Sequence, residues 1–420
     1  MAANRMRSLL ERVKKEITPT GTTVKKTALA MVSRINREIA KKGYNAVAVA
    51  GGSVAKGTFL KDDFDVDIFV KFDLAYEDKD LSRLLSRILS PFKKKRVHGS
   101  RDYYQIDDGL HYEVIPVLDI RTPDQARNVT DMSPMHVRWV KDQIRRQKRL
   151  VLVDEIRLAK QFCKANRVYG AESFIGGFSG HVLDILVIHY KGFVPFLRAV
   201  STLRKGTVID PMDHHKGKAK KRLNEAKLAS PIIVIDPILP DRNAAAALTD
   251  KKFLLFRQAA RHFLKKPDRS FFLVKTLTLD EILGQAKGRQ LILLEVKPLK
   301  GKVDVIGGKL LKVFEHIRKQ LELHDFTMLE AEWQWDRKGN ALFWYILPSR
   351  PLPEEKVWAG PLLRQKVHVA QFKKKHRTTF QRGGRLYAKV KRRHTDARSL
   401  ISELIASAYV RSRVSRMSPV

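Results

Sequence analysis

The sequence has almost no cysteine, no long apolar run and few acidic residues for its size. Cys163 is the single cysteine in 420 residues, which excludes a disulfide-stapled secreted scaffold. No stretch approaches the ~18 consecutive apolar residues that a membrane-spanning helix needs. The first 18 residues are charged and amphipathic, and Glu11 and Glu16 interrupt the basic positions, unlike a signal peptide. We therefore expect a soluble, cytoplasmic protein.

The shortage of acidic residues leaves a large positive charge. There are 44 Asp and Glu against 82 Lys and Arg, which gives a formal net charge of +38. Basic residues cluster at 93–96 and 216–222, and residues 361–420 hold 16 Lys and Arg against two acids. A single cluster of this kind is usually a solvated face. An excess on this scale indicates a polyanionic partner, and nucleic acid is a better candidate than an anionic membrane surface.

Length and periodicity predict a multidomain α+β protein of roughly three domains. Helical spacing in the first 45 residues predicts two helices separated near Pro19 and Gly21. Strands are predicted at 46–50, 64–72, 110–118, 270–276, 290–297, 331–335 and 341–347. Helices are predicted at 80–89, 150–164, 248–263 and 310–323, within a mainly helical stretch from 137 to about 264. We place the domains at 1–139, 140–265 and 266–420.

One segment has a pattern that points to chemistry. A predicted strand ends at Gly51, Gly52 and Ser53, where glycines allow a close approach to phosphate and the serine adds a donor. Asp65 and Asp67 follow, and on a strand they share one face about 6.6 Å apart. Such carboxylates repel each other unless a divalent cation lies between them. The combination resembles the nucleotidyltransferase fold of the polymerase-β type.

A two-metal site of that kind needs a third carboxylate from a neighbouring strand. Glu113 fits because it lies within the strand predicted at 110–118. The nearby acids Asp107, Asp108 and Asp119 lie at strand ends and suit loops better. We therefore predict Asp65, Asp67 and Glu113 as metal ligands, with Mg²⁺ as the cofactor.

From about residue 30 to about 405, the sequence resembles the archaeal, class I CCA-adding enzymes. These are tRNA nucleotidyltransferases that build or repair the 3′ terminus of tRNA. The similarity is most specific at residues 52–67, 128–136, 158–180 and 236–245, with a further similar segment at 384–397. It implies a nucleotidyltransferase head, a helical neck and an RNA-binding body and tail for the three predicted domains. Within the fourth segment, residues 244–247 are predicted to be ordinary helix.

The resemblance also implies roles for individual residues. The predicted nucleotide-binding residues are Gly52, Ser53, Lys56, His136, Lys160, Tyr169 and Arg242. Within this set, Ser53, His136, Lys160 and Tyr169 would hold the triphosphate, and Arg242 would hydrogen-bond the incoming base. Taken alone, each of three residues would more often have a structural role, Lys160 as a surface lysine, Tyr169 as a packing aromatic and His136 as a helix cap or core residue.

The implied activity is template-free addition of CCA from CTP and ATP, with tRNA bound at its acceptor stem and T arm. The resemblance leaves a homodimer open. Glu113 stands where many members have Asp, and Met132 and Ser133 stand where Arg and Thr are frequent. Two alternatives remain: a poly(A) polymerase or oligoadenylate synthase, which share the Gly-Ser and Asp-x-Asp core, and an inactive RNA-binding relative.

Overall fold

A computed structural model describes residues 2–20, 23–147 and 151–420. Gly21 and Leu150, which belong to sequence predictions above, lie outside the described residues. The chain divides into two compact units, residues 1–275 and residues 276–420. Within the described residues, no helix has both the length and the apolar character needed to cross a membrane.

The first unit begins with mixed strands and helices and continues as a mainly helical region. Its helices are α1 (Ala2–Ile17), α2 (Thr23–Lys41), α3 (Gly52–Lys56), α4 (Leu81–Ile88), α5 (Ser133–Arg146), α6 (Val151–Ala165), α7 (Gly180–His189), α8 (Phe193–Thr202), α9 (Ala219–Arg222), α10 (Glu225–Leu228) and α11 (Asp250–Lys265). Its strands are β1 (Ala46–Ala50), β2 (Val66–Phe72), β3 (Lys94–Val97), β4 (Tyr103–Asp108), β5 (Leu110–Leu118), β6 (Thr207–Ile209) and β7 (Ile232–Val234).

A five-stranded sheet in the order β1-β2-β5-β4-β3 forms the base of this unit. Strands β2 and β5 run parallel, and the other neighbouring pairs are antiparallel. The even-numbered residues of β2, including Val66 and Ile68, are fully buried in a core shared with α2 and α4. This alternation fixes the strand register and turns Asp67 to the opposite face.

The helical region packs around a separate core of aromatic side chains. Phe162 of α6 lies at its centre and contacts Phe193, Phe256 and Phe263 edge to face, with ring centroids 5.6–5.9 Å apart. Helix α7 is apolar on nearly all sides, as expected for a helix surrounded by other elements. Its exception is Asp184, which is also buried.

The second unit contains two antiparallel sheets with helices. Its helices are α12 (Leu279–Gln285), α13 (Val303–Leu323), α14 (Lys366–Lys375), α15 (Ala397–Ala406) and α16 (Ala408–Arg411), and its strands are β8 (Gln290–Pro298), β9 (Glu330–Gln334), β10 (Ala341–Leu347), β11 (Glu355–Leu362), β12 (Thr379–Arg382), β13 (Arg385–Lys391) and β14 (Val414–Pro419). The sheets have the orders β14-β8-β10-β9 and β11-β13-β12. The predicted α+β class is confirmed.

Two sequence predictions of local structure are wrong. Residues 270–276 form no strand, because Asp268 caps a 3-10 turn at Arg269–Phe272 and Phe272 turns into the aromatic core. Residues 244–247 form a turn rather than a helix. There the Asn243 side chain accepts hydrogen bonds from the amides of Val234 and Ala245, which holds the chain against β7.

Strands β3 and β4 were missed by the sequence analysis. The run Lys94–Val97 was interpreted only as a basic cluster, but it pairs with Tyr103–Ile106 at the edge of the five-stranded sheet. An edge strand tolerates charged side chains because only part of its surface is covered.

Candidate active site

Two predicted metal ligands lie side by side on the parallel strands β2 and β5. Asp67 is directly opposite Glu113 in the strand register. Asp65 is exposed and lies just before β2, two residues from Asp67, rather than inside the strand as predicted. The structure thus places three carboxylates at one end of the parallel strand pair.

The carboxylates crowd one another. Burial raises the pKa of Asp67 to about 7, and the charges of Glu113 and then Asp65 act in the same direction, against Lys56. A divalent cation would reverse this effect by favouring the ionised carboxylates. Carboxylate oxygens are also the donors that Mg²⁺ prefers, so the residues present fit such an ion.

Glu113 is held in place from strand β4. Gln105 lies opposite Glu113 and donates a hydrogen bond from Nε2 to Oε1 at 3.0 Å. Burial, followed by the charge and hydrogen bond of Glu113, raises the pKa of Tyr103 well above its ordinary value, so its phenol stays a neutral donor. The sequence analysis missed both residues together with β4.

The glycine turn after β1 brings α3 against the carboxylates. Gly52 has φ +52°, and a Cβ there would overlap Oδ2 of Asp67. A Cβ on Gly51 would come within 2.5 Å of the Phe69 ring. Both positions therefore need glycine, and they let the backbone that leads to Ser53 approach the carboxylate strand closely.

Lys56 and Lys160 both form ion pairs with a third residue, Asp184. Lys56 ends α3 and lies 2.5 Å from Oδ2 of Asp184, while Lys160 of α6 lies 3.4 Å from Oδ1. Lys160 is only 4% exposed, which excludes its interpretation as a surface lysine. Burial lowers the pKa of Lys160 to about 8, although Asp184 opposes this shift.

Helix α6 is also hydrogen-bonded to the loop that follows α3. Arg157 donates hydrogen bonds to the carbonyl oxygens of Phe59 at 3.0 Å and Gly57 at 2.6 Å. Lys160 donates to Oγ1 of the buried Thr58 at 3.0 Å. These bonds fix the helical region to the residues that directly follow α3.

Tyr169 lies next to the same lysines. Its hydroxyl and the Lys160 side chain both border Gly180, where a Cβ would be 3.0 Å from the hydroxyl and 3.6 Å from Cε of Lys160. Lys164 stands over the Tyr169 ring at 4.8 Å. Burial raises the pKa of Tyr169, so its hydroxyl remains a donor at neutral pH.

His136 and Arg242 meet at another buried carboxylate, Asp236. Nε2 of His136 is 2.9 Å from Oδ1, and a guanidinium nitrogen of Arg242 donates to Oδ2 at 3.1 Å. Burial disfavours the charge of Asp236, but the hydrogen bond from His136 and the nearby His181, whose Nε2 is 3.6 Å from Oδ2, outweigh burial and hold the pKa of Asp236 well below the usual range. Arg242 is half-exposed and keeps the rest of its guanidinium free of this contact.

His136, His181 and Asp236 are close enough together to ligate a metal ion. However, the Asp236 carboxylate already accepts hydrogen bonds from the Ile238 amide at 2.9 Å and the Leu239 amide at 3.2 Å, besides those from His136 and Arg242. This saturation by donors favours a positioning network over a cation site.

Met132 and Ser133 stand where the similar enzymes frequently have Arg and Thr, and the structure shows what each residue does instead. Met132 is 5% exposed and packs into the core of the five-stranded sheet. Ser133 begins α5, the helix that supports His136. Met132 thus contributes to packing, where an arginine would have to bury a charge.

Asp184 and Asp236 are buried carboxylates of the candidate site to which the sequence analysis gave no role. A signal existed for Asp184, because it is the single acid in the otherwise apolar segment 182–188. A lone acid at the centre of a buried helix predicts a buried cationic partner. Nothing in the sequence could name Lys56 as that partner, 128 residues away.

Family models match three successive parts of the chain. Residues 32–141 match a nucleotidyltransferase domain, residues 154–273 the second domain of tRNA nucleotidyltransferases, and residues 289–412 the C-terminal domain of CCA-adding enzymes. These matches agree with the order of catalytic, helical and C-terminal regions in the structure.

Individual relatives cover most of the chain. The CCA-adding enzyme of Nanoarchaeum equitans is 32% identical over 346 residues, which is 80% of this chain and 82% of that enzyme. The CCA-adding enzyme of Methanothermobacter thermautotrophicus is 29% identical over 388 residues, which is 90% and 83% of the two chains. A solved cytoplasmic RNA terminal U-transferase shares the fold, with a TM-score of 0.51 and 13% identity over 65% of this chain and 99% of its own. The chain therefore belongs to the archaeal-type CCA-adding enzymes, as its motifs predicted.

Proposed function

We propose that this enzyme adds two cytidines and then one adenosine to the 3′ end of tRNA, using CTP and ATP without a nucleic-acid template. The tRNA 3′-hydroxyl attacks the α-phosphorus in line, one P–O bond forms, and pyrophosphate leaves. The observation that supports this most directly is the pairing of Asp67 with Glu113 beside the glycine turn at Gly52, in a chain of this family. Catalysis then depends mainly on positioning and on electrostatic stabilisation.

We propose Mg²⁺ as the metal and Asp65, Asp67 and Glu113 as the residues that hold it. Bound divalent ions would supply Lewis-acid stabilisation of the attacking oxygen and of the leaving pyrophosphate. The chain prepares the ligands: Gly52 leaves room for the Asp67 carboxylate, and Gln105 fixes the orientation of Glu113.

We propose that the triphosphate lies between the turn at Gly52 and Ser53 and the lysines Lys56 and Lys160. Two buried ammonium groups with one shared carboxylate leave positive charge available for phosphate. Tyr169 would add a neutral hydroxyl donor. His136 would use Nδ1, because its Nε2 is committed to Asp236.

Arg242 is the residue we propose for the base. One guanidinium nitrogen is anchored on Asp236, which fixes the plane of the group. The remaining donors face outward, since the side chain is 45% exposed, and a planar fork suits the edge of a base.

We further propose that the basic second unit binds the acceptor stem and T arm of tRNA through phosphate contacts, and that the enzyme acts in the cytoplasm. Helix α14 supports the phosphate contacts, because none of its residues is buried and its last turn is Lys373, Lys374 and Lys375.

The family resemblance leaves a homodimer open. Light scattering with and without tRNA would distinguish a monomer from a homodimer.

The test is extension of a tRNA that ends before CCA, with Mg²⁺ and with CTP and ATP supplied singly and together. The proposal predicts two C additions with CTP alone and a completed CCA with both nucleotides. Long A tails from ATP alone would instead identify a poly(A) polymerase. RNA binding without any extension would identify a non-catalytic RNA binder.

A further inference from the structure

Asp184 is a fully buried carboxylate in a helix whose other buried residues are all apolar. Removing a charge from water is costly unless partners compensate it, so its position calls for a physical account. The pKa of Asp184 shows how its charge is compensated. Burial acts to raise this pKa, but the charges of Lys160 and Lys56 outweigh burial and lower it. Asp184 is therefore ionised in the folded protein.

The single carboxylate bridges ammonium groups from two other helices. Oδ2 lies 2.5 Å from Nζ of Lys56, and Oδ1 lies 3.4 Å from Nζ of Lys160. All three side chains are at most 10% exposed. Lys56 ends the short helix that begins at the glycine turn, so the carboxylate of α7 fixes a residue of the catalytic turn to the helical region.

We propose that Asp184 is a positioning residue: without touching the substrate, it holds the ammonium groups of Lys56 and Lys160 together where the triphosphate binds. This inference rests on the proposed function, because it takes these two lysines as the triphosphate ligands. Pre-organised charges of this kind lower the cost of ordering the site when nucleotide arrives.

The same carboxylate maintains the charge on Lys160. Burial and the neighbouring Lys56 favour the neutral amine, and Asp184 is the nearby group that opposes them. Three other titratable groups lie around Lys160 and Asp184. They are Lys164 on the same helix, Tyr169 at the border of Gly180, and His181 one turn before Asp184.

The test compares Asp184→Asn and Asp184→Glu in the full-length enzyme, with Asp78→Asn as the control. Asp78 is exposed in the catalytic region, so its replacement removes the same charge away from the lysines. The readouts are KM for CTP and kcat on tRNA ending before CCA, measured from about pH 6.5 to about pH 9, with thermal unfolding to verify folding.

For Asp184→Asn we expect KM for CTP to rise about tenfold or more near pH 8, while kcat changes less than about twofold, because the lysines bind ground and transition states alike. The increase should grow with pH, since Lys160 loses its proton at a lower pH without Asp184. Asp184→Glu keeps the charge but moves the carboxylate, so KM should rise without the added pH dependence. Asp78→Asn should keep the wild-type KM throughout.

Wild-type KM values in both Asp184 variants at every pH would overturn the proposal. So would variants that lower the melting temperature while their folded fraction keeps the wild-type KM. If the wild type itself fails to extend tRNA, it is the proposed function that fails. If the wild type extends tRNA and the Asp184 variants match it, only the positioning role fails.

Discussion

Gly52 combines two properties that forbid a side chain. Its φ of +52° lies in the left-handed region, and a Cβ would overlap the carboxylate of Asp67. Gly43 provides a comparison, because its φ is +69° but a Cβ there would have no neighbour within 4 Å. Substituting alanine at Gly43 therefore introduces backbone strain alone, whereas substituting it at Gly52 also displaces the Asp67 side chain.

Gly52→Ala should slow C addition by about 100-fold or more, because a displacement of about 1 Å at a catalytic group has effects of that size. Gly43→Ala should keep the wild-type rate and lose only about 1–2 kcal/mol of unfolding free energy. Rates of single C addition and urea unfolding curves measure both effects. A wild-type rate in Gly52→Ala would show that the close approach to Asp67 is not needed for activity.

Single residues of the site were predictable where local periodicity applies. The two-residue spacing of Asp65 and Asp67 and the position of Glu113 within a predicted strand were sufficient to name the carboxylates. The bridge from Lys56 to Asp184 was not predictable, because tertiary packing between distant segments creates it. The catalytic and binding roles of these residues stay predictions until the variants are measured.

At the scale of elements, a buried aspartate organises the segment that links β5 to α5. The Asp131 side chain is fully buried and accepts hydrogen bonds from the amides of Leu118 at 2.9 Å, Arg127 at 3.1 Å and Asn128 at 2.9 Å. Arg101 forms an ion pair with the same carboxylate. These contacts set the direction in which α5 leaves the sheet, and α5 supports His136.

Asp131→Ala should lower the free energy of unfolding by about 3 kcal/mol, because it removes the carboxylate partner of the partly buried Arg101 and leaves three backbone amides without their acceptor. Asp124→Ala, at an exposed position in the same segment, should stay within about 0.5 kcal/mol of the wild type. Urea denaturation measures both. Equal losses in the two variants would contradict this role of Asp131.

Elements with a clear period were predicted well, and those decided by tertiary contacts were not. Helix α4 and strand β10 match their predicted ranges closely. The β-forming residues at 270–276 were misleading because Phe272 fills the aromatic core from a 3-10 turn. Strand β3 was not predicted because its charged residues have the same sequence pattern as a solvated loop, although an edge strand tolerates such charges.

At the scale of the whole molecule, the dominant property is the charge of +38. The chain divides at residue 275 into two compact units, and the predicted boundaries at 139 and 265 stay predictions. Residues 361–420 contribute 16 basic residues, many of them exposed, as on α14. Sequence alone predicted a nucleic-acid partner from this charge, but not how strands β11–β13 arrange it.

Affinity for tRNA should fall by about 1,000-fold between about 50 mM and 200 mM salt if about six phosphates are contacted. KM for CTP should change far less over the same range. Lys374→Gln should reduce the slope of log affinity against log salt by about 1. Filter binding or fluorescence anisotropy measures these values, and an affinity insensitive to salt would contradict the phosphate-contact account.

The most direct test of the central claim is CCA addition by Asp67→Asn beside the control Asp107→Asn, an exposed acid at the end of β4. Both variants replace a carboxylate beside the first residues of β5, but only Asp67 is paired with Glu113. The account predicts that Asp67→Asn loses at least about 1,000-fold in the rate of C addition while it still binds tRNA, and that Asp107→Asn keeps the wild-type rate. A wild-type rate in Asp67→Asn, or an equal loss in both variants, would contradict the claim that this carboxylate pair is the catalytic centre.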